Sequence, residues 1–73
     1  MSRYFRIVDG NVLLTFGKKH RGRLLHEVAD EDIDYLKWII REHADGKGFD
    51  EEFVVEVEEE LRVRGEEIPY VGH

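Results

Sequence analysis

The chain must fold around one apolar core without a covalent cross-link, because its 73 residues include no cysteine. Neither a disulfide nor a zinc ion held by thiolates is therefore available to stabilise it. A chain of this length lies near the lower limit for folding by hydrophobic packing alone. We therefore expect one small domain over residues 1–73, in which the core needs most of the large apolar side chains.

Two short apolar runs near the start of the chain predict a β-hairpin. Residues 4–8 and 12–16 are rich in β-branched and aromatic side chains, and Asp9, Gly10 and Asn11 between them favour a turn. We place the hairpin at residues 4–16 and expect Gly10 and Asn11 to tolerate positive φ. Because an isolated hairpin is not stable in water, its apolar face needs helices packed against it.

Two later segments predict those helices, at about residues 32–43 and 50–64. Their apolar side chains recur at helical spacing: Ile33, Leu36, Ile40, Phe53, Val57 and Leu61. Asp50 is placed to cap the second helix and Gly65 to end it. Residues 24–28 are ambiguous and indicate at most a single helical turn, and the tail at 66–73 is expected to be irregular. The predicted fold class is α+β, a hairpin packed against two helices.

Residues 17–23 form a basic loop in an otherwise acidic chain. The loop contains Gly17, Lys18, Lys19, His20, Arg21, Gly22 and Arg23. Residues 1–26 carry six basic side chains against one acidic, a net charge of +5, whereas residues 27–73 carry five against sixteen, a net charge of −11. Clustered cations repel one another unless water, an anion or an acidic surface compensates them. The basic loop is therefore the candidate binding surface.

The spacing of Gly17 and Gly22 is that of a nucleotide-binding P-loop. That motif continues with a lysine and then serine or threonine, which contact the terminal phosphates and magnesium, whereas Arg23 and Leu24 follow here. We therefore do not expect nucleotide hydrolysis. The four histidines have no metal-ligand spacing, and no residues follow the order of a catalytic triad. The sequence predicts no catalytic residue, no metal site and no cofactor.

Two motifs in sequence resemble a known family. Phe16-Gly17-Lys18, with Gly22 and Leu25 after it, precedes Tyr35-Leu36-Lys37-Trp38-Ile39. This pattern is similar to a small C-terminal domain of exonuclease X-like 3′–5′ exonucleases and to short stand-alone bacterial proteins described as quorum-sensing-regulated virulence factors. The resemblance covers about residues 14–42. If Lys18 is aligned with the lysine of the family pattern, this chain carries one extra residue between Lys18 and Gly22; if Lys19 is aligned with it, the insertion follows Gly17. It implies a non-catalytic accessory domain that works beside a nuclease, through contact with nucleic acid or docking on a partner.

The side chains of the basic loop leave several interpretations open. In the first, the loop binds phosphates of DNA or RNA through Lys18, Lys19, His20, Arg21 and Arg23. In the second, it docks on an acidic protein, such as a nuclease, or on a second copy of this chain. In the third, it is a solvated turn or is neutralised by the chain's own acidic helices. Five residues are expected to support the loop in any of these cases: Phe16, Gly17, Gly22, Tyr35 and Trp38. For Tyr35 and Trp38, core packing is the stronger interpretation than stacking on bases.

Composition adds two weaker expectations. Charged residues make up 38% of the chain, against roughly 25% in typical soluble domains. Together with the absence of glutamine, this is typical of heat-adapted proteins and predicts a high melting temperature. The absence of cysteine, and of any apolar run near the ~20 residues that span a membrane, leads us to expect a cytoplasmic protein with no membrane partner.

Overall fold

The computed structural model describes residues 2–69, so the predicted tail beyond Pro69 lies outside the described residues. Five elements follow one another along the chain: β1 (Phe5–Val8), β2 (Asn11–Leu14), α1 (Leu25–Glu31), α2 (Ile33–Ala44) and α3 (Glu51–Val63). The α+β class and both predicted helices are therefore confirmed. The structure adds a third helix, α1, where the sequence indicated one turn at most.

β1 and β2 form the predicted antiparallel hairpin, in a register that pairs Phe5 with Leu14 and Val8 with Asn11. The turn consists of Asp9 and Gly10, whose φ angles are 51° and 79°. Of the two residues expected to tolerate positive φ, Gly10 adopts it, whereas Asn11 begins β2 and Asp9 takes the other turn position. Two successive residues with positive φ are typical of the type I′ turn, whose twist matches that of the flanking strands.

The core lies where the hairpin and the three helices meet. Its buried apolar side chains are Leu14, Leu25, Val28, Ala29, Leu36, Ile39, Ile40, Phe53, Val54, Val57 and Leu61. Their three- and four-residue spacing within each helix places them on one face, as expected for an amphipathic helix. Among the six apolar positions predicted on the two helices, Ile33 alone is only partly buried, and it packs at the edge of this core.

The N-cap of helix α1 is Leu24, whose backbone is extended. The Glu27 carboxylate reaches back and accepts a hydrogen bond from the Leu24 N–H at 3.1 Å, as the glutamate of a capping box does. Asp32 ends α1 and also begins α2, with φ −151° and ψ 65°. The single-residue junction at Asp32 therefore sets the angle between two helices and, as shown below, also contacts the basic loop.

The ends of α3 are those predicted from the sequence. The Asp50 carboxylate caps the helix by accepting a hydrogen bond from the Phe53 N–H at 2.9 Å, and it also accepts one from the Ser2 hydroxyl at 3.2 Å. Gly65, with φ 72°, follows the last turn. The Arg64 guanidinium binds Glu60 on α3 and Asp30 on α1, both at 2.7 Å, and so links these two helices.

Candidate functional site

The basic loop has a fixed base because the chain returns along the outer edge of β2. The Gly22 N–H donates to the Leu14 carbonyl and the Leu14 N–H donates to the Arg23 carbonyl, both at 2.9 Å. Leu13 and Leu24 form an antiparallel bridge beside them. Gly17 and Gly22 have φ angles of 75° and 84°, a region in which other residues are strained. The two glycines therefore allow the chain to turn out of β2 and back onto it.

His20 anchors the middle of the basic loop to the helices. Its side chain is buried, with a relative exposure of 6% for the residue, and its ring packs edge-to-face on Tyr35 with the centroids 4.6 Å apart. Its Nε2 lies 3.2 Å from the Asp32 carboxylate, whereas its buried Nδ1 has no hydrogen-bond partner within residues 2–69. The structure thus places His20 inside the loop, apart from the exposed cations with which the sequence grouped it.

Two of the four loop cations are bound to carboxylates near the junction of α1 and α2. The Lys19 ammonium lies 2.9 Å from the Asp32 carboxylate, and the Arg23 guanidinium forms an ion pair with Glu31. Hydrogen bonds from Lys19 and His20 lower the pKa of Asp32, and the hydrogen bond from Arg23 lowers the pKa of Glu31. The acidic helices therefore compensate this half of the loop charge, as one of the sequence interpretations held.

The other two loop cations, Lys18 and Arg21, project from the loop and are exposed. Neither has an acidic partner among the residues that the structure describes. Two positive charges are thus held on a loop whose base and middle are fixed, and they remain available to a ligand.

A row of aromatic rings connects the basic loop to the core. Tyr35 stacks on Trp38 at 5.6 Å, and Trp38 meets Phe49 edge-on at 5.8 Å. Phe49 in turn contacts Phe16, the residue that precedes the loop, at 5.5 Å. Burial raises the pKa of Tyr35, whereas Trp38 keeps 40% of its surface exposed. The five predicted supporting residues therefore lie around the loop, and Phe49, which the sequence did not place at this site, joins Phe16 to Trp38.

Phe49 has a φ of 53°, which is unusual for a bulky residue. Its backbone carbonyl lies 3.0 Å from Nδ1 of His43 in the last turn of α2. Its ring contacts four other aromatic rings: Tyr4, Phe16, Trp38 and Phe53. These contacts offset the backbone strain and hold the end of α2 against the start of α3. Sequence spacing alone gives no sign of this role, because the ring partners come from four separate segments.

The described part of the chain has neither a cluster of metal ligands nor a helix that could span a membrane. Residues 2–69 contain no group of three His, Asp or Glu side chains arranged to hold a metal ion. None of the helices within these residues has the length and apolar composition needed to cross a lipid bilayer.

Comparison with protein families bears on the same region. Residues 14–43 match the model of the exodeoxyribonuclease X-like C-terminal family. The resemblance predicted from the two motifs is thus confirmed. The matched segment starts at Leu14, the last residue of β2, includes the basic loop and α1, and stops in the last turn of α2. No curated protein and no solved structure matches the chain.

Proposed function

We propose that this chain is a non-catalytic accessory module of the nuclease-associated type, and that its basic loop binds nucleic acid by contacting backbone phosphates. The observation that carries the proposal is the division of the loop charge. Lys19 and Arg23 are bound to the protein's own carboxylates, whereas Lys18 and Arg21 are exposed without an acidic partner in residues 2–69. The family match supports the association with a nuclease.

Lys18 and Arg21 are suited to phosphates because the loop is already ordered. Hydrogen bonds to Leu14 hold its base, and His20 holds its middle against Tyr35. Little conformational entropy is then lost from the backbone when a phosphate binds, so more of the charge interaction contributes to affinity. In this proposal His20 positions the loop and does not contact the ligand, because its ring is buried.

Trp38 provides a second contact beside the loop. The indole stacks on Tyr35, whose other neighbours include His20 and the Lys19 ammonium, the latter 5.8 Å from the Tyr35 ring centroid. With 40% of its surface exposed, Trp38 is accessible to an unpaired base. Base–aromatic stacking contributes about 1–3 kcal/mol per base, so we expect single strands to bind more tightly than duplexes.

The acidic remainder of the chain limits how nucleic acid approaches. Residues 27–73 carry a net charge of −11, and charges are screened only beyond about 10 Å at 0.1 M salt. A long duplex laid across the protein would meet this repulsion. A short contact at the loop and Trp38 avoids most of it. The proposed role is therefore an oriented, weak contact that adds to the affinity of a neighbouring nuclease for nucleic acid.

The test is a titration of labelled single-stranded DNA, duplex DNA and RNA at several salt concentrations. The double variant Lys18→Ser/Arg21→Ser is compared with Arg41→Ser/Lys47→Ser, which removes the same charge from α2 and the following turn. If the loop neutralises two phosphates, a plot of log binding constant against log salt concentration becomes less steep in the first variant alone. The magnitude of its slope should decrease by about 1.4 for single strands and by about 1.8 for duplexes. Undetectable binding at low salt, or equal slopes for both variants, would refute the proposal.

Docking on an acidic protein is the second candidate function, and one observation favours it. Lys19 and Arg23 already bind the carboxylates of Asp32 and Glu31, so the loop is chemically able to bind an acidic surface. If the loop docks on an acidic protein, polyglutamate should compete with single-stranded DNA of equal charge for the loop. The fluorescence of Trp38 should then change neither when DNA is added nor when polyglutamate is added. Quenching of Trp38, the only tryptophan in the chain, by DNA but not by polyglutamate distinguishes the two functions.

A further inference from the structure

The outer edge of β1 offers backbone groups that have no strand partner among the residues that the structure describes. In a hairpin with a two-residue turn, the residues flanking the turn form a hydrogen-bonded pair, and such pairs alternate along the ladder. Val8 with Asn11 and Arg6 with Leu13 are therefore the bonded pairs, and the Thr15 N–H bonded to the Tyr4 carbonyl at 3.0 Å continues the series.

The alternation directs the N–H and C=O groups of Phe5 and Ile7 away from β2. The same alternation is seen directly on β2, where the N–H and C=O of Leu14 point outward and bond to residues 22–23. Nothing in residues 2–69 pairs in the same way with Phe5 or Ile7. Within residues 2–69, one edge of the sheet is therefore covered by the base of the basic loop, and the other edge has no covering segment.

A groove of about 670 Å³ runs beside this open edge, between β1 and the first half of α3. Its walls include Phe5, Arg6 and Ile7 on the strand and Glu52 and Glu56 on the helix. It continues past Phe5 to Glu51 and to Val55, which is 58% exposed. Ile7 is 57% exposed on the strand side. The groove thus combines apolar side chains with a row of carboxylates along one helix.

We propose that this groove binds an extended, basic peptide segment of a partner protein, which adds to β1 as a third strand. The backbone groups of Phe5 and Ile7 would bond to the segment, as in other cases of strand addition. Its side chains that face α3 would be lysine or arginine, whose aliphatic stems pack on Val55 while their charges reach Glu56. Arg6 also lines the groove, so the side chains of the segment that lie nearest to Arg6 would be neutral, which avoids repulsion between like charges.

A second copy of this chain fits the edge less well. The register that uses all four outward groups of Phe5 and Ile7 pairs Phe5 of one copy with Ile7 of the other. That register places Arg6 directly opposite Arg6 of the second copy, and like charges directly opposite each other destabilise a strand pair. A basic segment with neutral residues in those positions avoids this repulsion and gains the carboxylates of α3.

The experiment uses the full chain and an eight-residue peptide in which threonine and lysine alternate, with both ends blocked. A matched peptide of equal charge carries an N-methyl group on every residue, so that neither of its edges can donate backbone hydrogen bonds to β1. We expect the N-methylated peptide to bind at least about tenfold more weakly in a calorimetric titration. The variant Val55→Lys should weaken binding of the unmodified peptide by a similar factor. Val63→Lys, at an exposed valine near the end of the same helix, should change it less than about twofold.

Three results would overturn the proposal. One is no detectable binding of the threonine–lysine peptide. Another is equal binding of the N-methylated peptide, which would show simple attraction between a cationic peptide and an acidic helix. The third is a concentration-dependent dimer that Val55→Lys abolishes, which would assign the edge to a second copy. Thermal melts of both valine variants establish that they fold, and the comparison of the two peptides needs no variant at all.

Discussion

His20 provides the sharpest test of how the basic loop is held. Replacing it with alanine removes the ring that packs on Tyr35 at 4.6 Å and the hydrogen bond to Asp32 at 3.2 Å. Replacing it with phenylalanine keeps a ring against Tyr35 and removes the hydrogen bond. It also removes the buried Nδ1, which has no partner in the described residues. The two variants therefore separate the packing of the ring from its polar contacts.

The expected magnitudes follow from these contacts. An edge-to-face pair of aromatic rings contributes about 0.5–1.5 kcal/mol, and a hydrogen bond contributes a net of about 0.5–1.5 kcal/mol. We therefore expect His20→Ala to lower the free energy of unfolding by about 2 kcal/mol, which corresponds to a fall in melting temperature of about 8–16 °C for a domain of this size. For His20→Phe we expect a change of less than about 1 kcal/mol, because the lost hydrogen bond is offset by removal of an unpaired buried nitrogen.

The measurement is chemical unfolding followed by the fluorescence of Trp38, which stacks on the same Tyr35 and so reports on the site itself. A parallel measurement of far-ultraviolet circular dichroism checks that unfolding is two-state. Surface substitutions usually change stability by no more than about 0.5 kcal/mol. A change of that size for His20→Ala would refute the anchoring role, and so would equal destabilisation by alanine and phenylalanine.

Three further predictions concern the residues around the loop. The pKa of Asp32 is lower in the folded chain than in the unfolded chain, so the contribution of its carboxylate to stability is complete above the ordinary pKa of 3.8 and is lost as the pH falls through the folded pKa. The melting temperatures of the wild type and of Asp32→Asn should therefore converge in acid. A gap that stays constant with pH would contradict this. Gly22→Ala should lower the free energy of unfolding by about 1–2 kcal/mol, because φ at this position is 84°; the added methyl group itself meets no atom. Gly22→Asn should lower the free energy of unfolding less. Equal melting temperatures for the two variants would count against backbone strain as the cause. Arg64→Ala should lower the melting temperature by a few degrees at low salt and by less at high salt, since it breaks charged contacts to α1 and α3; a loss independent of salt would show that packing of the side chain dominates.

The regular elements could be predicted from the sequence because their signals are local. The type I′ turn requires positive φ at two adjacent residues, and Asp9-Gly10 supplies them, although the sequence assigned the second position to Asn11. The caps of α3 follow from Asp50 and Gly65 within one turn of each end. For helix α1 the sequence indicated only an ambiguous single turn, because the helix is seven residues long and its N-cap, Leu24, has no polar side chain to cap it. Glu27, three residues later, was the one available signal.

The candidate site was less predictable, because it depends on contacts between distant segments. The sequence placed Lys18, Lys19, His20, Arg21 and Arg23 in one group of equal candidates. The structure divides them by what each reaches across the chain: His20 and Lys19 meet Asp32, twelve and thirteen residues away in sequence, and Arg23 meets Glu31. No local pattern fixes such pairings. For Phe49, likewise, neither its positive φ nor its four ring contacts follow from neighbouring residues.

The acidic helices have a physical consequence for the loop that the net charge hides. Four cations close together would repel one another and favour an open, disordered loop. Asp32 and Glu31 neutralise Lys19 and Arg23 at short range, so the loop stays closed against α1 and α2 while Lys18 and Arg21 remain exposed. Removing Asp32 would leave more free positive charge but a less ordered loop. If nucleic-acid binding depended only on charge, Asp32→Asn would strengthen it; if it depends on a positioned loop, as we propose, the same variant weakens it even at low salt.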